Sequence, residues 1–292
     1  MAAPSTPPTS NVLWRLRTRS LQRQTLPIVM GILNLTPDSF SDGGQHSGVA
    51  DAVEAALRME DAGAGILDIG GESTRPYSSP VAGDEELRRV TPVLERLQNR
   101  VSIPISIDTS KAVVAAAAID LGAEIINDVS GLEGDPDMAA TAARTDAGVC
   151  VMHCQGTPAT MQDAPHYDNI TEEICQYLLQ RAEACLQAGI NRERICLDPG
   201  IGFGKTHEHN LTLLRDAKQF TQLGWPILVG HSRKGFVGKI LNDREKNRDA
   251  GTLGASLALA AAGIDVLRVH NVADTVDALR LFEAAGGLTA GR

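Results

Sequence analysis

Aromatic side chains are scarce, at 3% of 292 residues, so a core must come from aliphatic residues. Apolar residues make up 43% of the chain, and Ala, Val, Ile and Leu dominate them, the palette of parallel sheets covered by helices. Paired cysteines are missing as well. The five that occur, Cys150, Cys154, Cys175, Cys185 and Cys196, are odd in number and form no C-x-x-C pattern, which fits reduced thiols rather than a disulfide framework or zinc site. Net positive charge is absent: the formal charge of −9 argues against nucleic-acid and anionic-membrane partners, so an anionic ligand must meet a local basic cluster. No apolar run approaches the roughly 20 residues of a membrane span, and no signal peptide precedes the first strand. A soluble, cytoplasmic protein acting on small molecules is expected.

Several catalytic signatures are also lacking. There is no H-E-x-x-H, no G-x-S-x-G, and DPGIGFGK has neither the P-loop spacing nor G-x-G-x-x-G. Zinc-enzyme, covalent hydrolase and nucleotide-loop readings fall away together.

What is present is a repeat. From residue 27 a short β-branched run ending in polar residues alternates with an amphipathic stretch. The strand candidates are residues 28–34, 65–71, 103–109, 124–130, 148–154, 195–200, 226–232 and 266–271. Stretches such as 49–63 and 210–224 carry apolar residues at helical spacing. Gly63, Gly122, Gly148, Gly189, Gly224 and Gly263 precede the next strand and suit left-handed helix caps. A doubly wound open sheet would alternate in the same way, but eight units favour closure into a (β/α)8 TIM barrel of one domain. That domain is expected over 27–286, with a tail at 287–292. Residues 1–26, acid-free and superficially similar to a transit peptide, read more simply as a frayed terminus leading into a β-ribbon. There Val12, Trp14 and Leu16 would cap one end of the barrel.

The strand-to-helix loops are long and rich in Gly, Pro and hydroxyl residues, the mark of working loops. Each strand ends in polar groups: Asn34; Glu72 with Ser73, Thr74 and Arg75; Asp108; Asn127; His153; Asp198; Lys234; Arg268 with His270. Any one of these fits a helix cap or turn. Gathered at one mouth, they point to a site. Asp108 and Asp198 follow apolar runs directly, so they lie where desolvation raises a carboxylate pKa and need donors. A flat, nitrogen-rich ring supplies them, with Asn127 able to donate or accept beside it. Lys234, Arg268 and His270 gather positive charge at the ends of strands seven and eight, the anion corner of this fold, where a phosphate is the natural guest. GHSRKGFVG adds a turn into a helix N-terminus. Asn34 offers a neutral oxygen to a hard cation such as Mg²⁺. Phe40 and Phe203 fall in mouth loops and suit either stacking on an aromatic ligand or packing on the rim.

The strings MGILNLTPDSFSDGG, DIGGESTRP, SIDTSK, INDVSG, VMHCQGTPATMQ, LDPGIGFGK, VGHSRKGFVG and RVHNV, in this order, resemble the dihydropteroate synthase family from about Pro27 to the last helix. The resemblance implies a transferase of folate biosynthesis. It would join 6-hydroxymethyl-7,8-dihydropterin diphosphate to 4-aminobenzoate, releasing diphosphate. It implies that Thr74, Asp108, Asn127, Asp198 and Lys234 hold the pterin. Asn34, Arg75, Arg268, Val269 and His270 would hold the diphosphate, Asn34 also the Mg²⁺. The aminobenzoate would meet Arg75, Pro76, Phe203, Lys234 and Gly235. Asp108, Lys234, Arg268 and His270 carry the implied catalysis: the C–O bond ionises first, Mg²⁺ and the cations stabilise the departing diphosphate, Asp108 stabilises the pterin cation, and the aniline nitrogen attacks under closed loops 36–48 and 72–83. A homodimer and sulfonamide binding are implied too.

Three residues depart from the family's usual strings: Tyr77 where Gly commonly follows S-T-R-P, Gly235 where Ser often follows S-R-K, and Asn271 where Asp often follows R-V-H. None is a proposed pterin or diphosphate ligand. A corrinoid-linked, pterin-dependent methyltransferase would have no use for the anion corner or the S-T-R-P loop. An idle paralogue would have lost members of the cluster.

Overall fold

A computed structural model of the protein describes residues 13–36, 44–157, 160–243 and 246–288, without the side chains of 44–47. Phe40, Val12, most of loop 36–48 and the end of the C-terminal tail lie outside the described residues.

The strands are β1 (Leu13–Arg15), β2 (Ser20–Gln22), β3 (Ile28–Asn34), β4 (Ile66–Gly70), β5 (Ile105–Asp108), β6 (Ile125–Asp128), β7 (Gly148–Met152), β8 (Ile195–Asp198), β9 (Leu228–Val229) and β10 (Val266–Val269). The helices are α1 (Gly44–Asp61), α2 (Gly83–Leu97), α3 (Ala112–Asp120), α4 (Met138–Thr145), α5 (Ile170–Gln187), α6 (His207–Arg215), α7 (Ala217–Thr221), α8 (Gly235–Ile240), α9 (Asp249–Ala262) and α10 (Val272–Ala284). Strands β3 to β10 form one parallel sheet in the order β8-β7-β6-β5-β4-β3-β10-β9. A parallel bridge from Leu197 to Ile227 returns β9 to β8 and closes the barrel, with the Leu197 N–H donating to the Pro226 carbonyl at 2.9 Å. The fold is the (β/α)8 barrel, and the open-sheet alternative is gone.

Two hydrophobic layers hold it. The larger lies between the barrel and its helices and gathers outward-facing strand residues such as Leu67, Ile107, Ile126 and Leu267 with the inner faces of the helices. The smaller plugs the base of the barrel with Met30, Ile66, Ile125, Cys150, Cys196, Leu228 and Val266, closed from below by Trp14 and Leu16 of the β1–β2 ribbon. The Trp14 indole donates to the Arg194 carbonyl at 2.9 Å, so its one polar atom is satisfied on burial.

Local structure departs from expectation in two places. The stretch 210–224 is not one helix: Asp216 ends α6 with φ −89° and ψ 8°, and its carboxylate accepts from Thr171 of α5 at 2.8 Å. A tertiary partner overrides the periodicity. Gly148 is not a helix cap either. Gly63, Gly122, Gly189, Gly224 and Gly263 all have positive φ, whereas the left-handed residue before β7 is Asp146, at φ 58°. Gly148 lies inside β7, and a Cβ there would come within 2.7 Å of Leu16. Its small size seats the ribbon.

Candidate functional site

Period-two alternation along the strands builds the site. Two residues beyond the apolar base layer, the inward positions become Asp68 on β4, Asn127 on β6, Asp198 on β8 and Arg268 on β10, with Asp108 at the end of β5. The interior thus changes from hydrocarbon to charge within one side-chain layer, at the C-terminal ends where this fold binds ligands.

Arg268 is the centre of the layer. Its Nε donates to Asp68 Oδ2 and its Nη2 to Asp108 Oδ2, both at 2.6 Å. Asp68 is fully buried and Asp108 is 6% exposed, so one guanidinium offsets two desolvated carboxylates. Burial drives the Asp108 pKa upward; Arg268 pulls it back, and Asp68, Glu86 and Asp128 push it further up. Asp108 Oδ1 is buried and has no partner among the described residues, an orphan acceptor that calls for a donor. Asp198 is raised to about 6 by burial, against the Gly200 N–H, Lys234, Arg268 and Lys205; the Gly200 N–H lies 2.7 Å from its Oδ1.

Lys234 leans over the Phe203 ring at 4.1 Å. Burial and the nearby Arg268 push its pKa down to about 8, against Asp198 and Asp108. Phe203 is itself 8% exposed, and its carbonyl accepts at 2.8 Å from the buried Lys205, whose ammonium also meets His153 Nδ1 at 2.9 Å. His270 contributes less charge than its type suggests. Burial, then Arg233, Arg268, Lys234 and Arg75, lower it to about 4, so near neutral pH it is an uncharged hydrogen-bonding group. Ser232 Oγ sits 2.9 Å from its Nδ1.

A small cavity of about 20 Å³ lies against Thr74, Asp108, Asn127, Asp198, Phe203, Lys234 and Arg268. It adjoins a cleft of about 1200 Å³ that reaches Asn34, Thr74, Arg75, Pro76, Phe203, Lys234, Gly235, Arg268 and His270. The residues expected to hold a nitrogen-rich ring therefore meet in the deep part, and those expected at the anion corner and rim meet in the outer part. Val269 stands apart: its side chain is fully buried in the core between barrel and helices, leaving only its backbone to offer a ligand. Arg268, expected at the anion corner, reaches inward to the acids.

Of the three departing residues, Asn271 and Tyr77 make contacts of their own, and nothing in the structure requires glycine at 235. Asn271 caps α10 by accepting from the Asp274 N–H at 3.2 Å, which Asp would do equally. Gly235 opens α8, and a Cβ there meets nothing within 4 Å. Tyr77 is 66% exposed, has φ 63°, and brings its hydroxyl to 3.4 Å from Asp163 Oδ1, linking two mouth loops.

Sequence reading missed Asp68, Lys205, Ser232 and Lys111. Asp68 was legible in principle, being two residues beyond Ile66 on the inward face. Lys111 donates to Glu72 Oε2 at 2.5 Å and to the buried Glu86 at 2.7 Å, tying down the start of loop 72–83. No spacing in the sequence announces that triad.

Among the described residues no group of three His, Cys, Asp or Glu forms a metal cage, and no helix is long and apolar enough to cross a membrane. Comparison with known proteins gives a consistent result. A family model described as pterin binding enzyme matches residues 30–270. Dihydropteroate synthase of Escherichia coli (strain K12) is 47% identical over 258 residues, covering 88% of this chain and 91% of the relative. The structure of Xanthomonas albilineans dihydropteroate synthase with 4-aminobenzoic acid superposes with a TM-score of 0.87 at 42% identity, over 95% of this chain and 99% of that one. The Yersinia pestis enzyme in complex with a sulfonamide drug also gives 0.87 at 42% identity, over 94% and 99%.

Proposed function

The chain belongs to the dihydropteroate synthase family, and from that premise we propose that it condenses 6-hydroxymethyl-7,8-dihydropterin diphosphate with 4-aminobenzoate to 7,8-dihydropteroate and diphosphate. The observation that carries the reading is the set of buried acceptors around the deep cavity, Asp108, Asn127 and Asp198, beside Lys234. A pterin presents ring and exocyclic N–H groups to such acceptors. The outer cleft, with Arg75, Pro76, Phe203, Lys234 and Gly235 on its walls, supports binding of the aminobenzoate there.

In this proposal the pterin lies against Thr74, Asp108, Asn127, Asp198 and Lys234. Asn34, Arg75, Arg268, His270 and the Val269 backbone receive the diphosphate. Ionised Asp108 stabilises the pterin cation left when the C–O bond breaks, and Arg268 and Lys234 oppose the charge on the leaving group. Neutral His270 donates from Nε2 to a phosphate oxygen if Nδ1 accepts from Ser232. Loop 72–83 covers the reacting atoms and excludes water.

Mg²⁺ fits this donor set. Asn34 is a half-buried neutral oxygen donor on the cleft wall, and Mg²⁺ is held by few protein ligands besides substrate phosphates. When bound it supplies positive charge to the departing diphosphate. We also propose that sulfonamides compete at the aminobenzoate site, that the protein works in the cytoplasm, and that it is a homodimer through its helices. The exposed Ile240, Leu241 and Leu281 support the last point, and light scattering tests it. For the reaction itself, purified protein with Mg²⁺ and both substrates is expected to release diphosphate and form dihydropteroate; turnover no greater than that of Lys234→Ala would sink the proposal.

A further inference from the structure

Asp68 is completely buried, lines neither cavity, and yet touches two residues of the pterin and diphosphate sites. Arg268 Nε donates to its Oδ2 at 2.6 Å. Asn127 Nδ2 donates to its two oxygens at 3.4 and 3.3 Å. An ionised carboxylate only accepts, so the amide face that Asn127 turns to Asp68 has to be the NH₂ group. That turns Asn127 Oδ1 away from Asp68, toward the cavity that Asn127 lines. The ligand then meets acceptors from Asn127, from the unpartnered Asp108 Oδ1 and from Asp198.

We propose that Asp68 is a positioning residue that sets the amide polarity of Asn127, so that the floor of the site accepts hydrogen bonds and selects a heterocycle edge made of N–H donors. The inference rests on the pterin reading above. It makes Asp68 a determinant of ligand specificity although it never touches the ligand. The neighbouring Arg268 belongs to the same arrangement: one oxygen of Asp68 anchors its Nε, which leaves the guanidinium level with Asp108.

A swapped pair separates this role from simple packing. In Asp68→Asn the amide of Asn127 loses its instruction. In Asn127→Asp two carboxylates meet. In the double variant D68N/N127D the new amide can accept from Arg268 through its oxygen and donate to the new carboxylate through its nitrogen, so an acceptor faces the cavity again. Binding of 6-hydroxymethyl-7,8-dihydropterin diphosphate is measured by calorimetry, with melting temperature followed alongside. Each single variant is expected to bind about tenfold more weakly or worse, the worth of one lost hydrogen bond to a charged or buried group, and the double variant to return to within about threefold of wild type. If a single variant fails to fold, recovery of fold and binding together in the double variant still supports the proposal. Binding by Asp68→Asn within about twofold of wild type, or a double variant no better than the singles, would overturn it. Absence of binding by the wild type would instead overturn the pterin reading, and this inference with it.

Discussion

Replacing Arg268 with Met tests the charge accounting of the barrel interior. The substitution keeps most of the side-chain volume and removes the single cation between Asp68 and Asp108, whose side chains are 0% and 6% exposed around an arginine only 18% exposed. Deleting one partner of a buried ion pair leaves an uncompensated buried charge and costs about 3–5 kcal/mol. At roughly 2–4 °C per kcal/mol for a domain of this size class, melting should fall by about 6–20 °C. The loss should also depend on pH. Burial already holds the Asp108 pKa above its ordinary value and Arg268 pulls it down, so removing the arginine raises it further. An acid with a raised folded-state pKa destabilises the native state when ionised, and the penalty is relieved as pH falls through that pKa. The gap between variant and wild type should therefore be widest above neutral pH and narrow toward about pH 5, read by circular-dichroism melts across that range. A gap below about 2 °C, or one that does not change with pH, would show that the two carboxylates are compensated by something other than Arg268.

Other outcomes follow from the same geometry. The pH profile of kcat/KM should rise as Asp198, at about 6, and Asp108, also held above its ordinary value by burial, ionise, and fall as Lys234 loses its proton, at about 8; a profile flat from about pH 5 to 9 would remove all three groups from the free-enzyme mechanism. Trp14→Ala, at the closed end of the barrel, should cost about 3–5 kcal/mol in denaturant titrations because it empties a large core site. Its kcat per folded molecule should stay within about twofold, since the reaction is at the other end. Tyr77→Gly should leave the melting temperature unchanged within about 2 °C, because relief of a left-handed non-glycine backbone offsets glycine's extra chain entropy. A larger drop would mean that the Tyr77–Asp163 contact holds the two loops together.

The barrel was legible because its signals are local and redundant. Eight β-branched runs, alternating with amphipathic stretches and glycine-capped returns, admit few closed arrangements. The layer of Asp108, Asn127 and Asp198 was legible for a similar reason, each being a polar residue that interrupts an apolar run. Asp68 escaped because apolar residues follow it: in GILDIGG the run resumes with Ile69, and the acid reads as an accident of the strand rather than its inward face. Helix α6 ended early because Asp216 has a partner on α5, information that no window along one helix contains. The charge of His270 was misjudged from residue type alone, since its neutral state depends on burial and on three arginines and a lysine brought close by folding.

A site built this way needs its insulating base. Three carboxylates and one arginine near the middle of a barrel would draw water in from below if the strands stayed polar toward their N-terminal ends. One layer down the interior is Met30, Ile66, Ile125, Cys150, Cys196, Leu228 and Val266, sealed by Trp14 and Leu16. That plug keeps the dielectric low beneath the acids, which both raises Asp108 and Asp198 and strengthens every hydrogen bond they accept. Among the described residues, the solvated approach to the acids is then through the mouth. A ligand arriving there with several N–H donors can satisfy the orphan oxygen of Asp108, whereas one with acceptors along the same edge meets carboxylate oxygens it cannot bond. The ribbon at the far end thus contributes to recognition without approaching the ligand, by holding the interior dry.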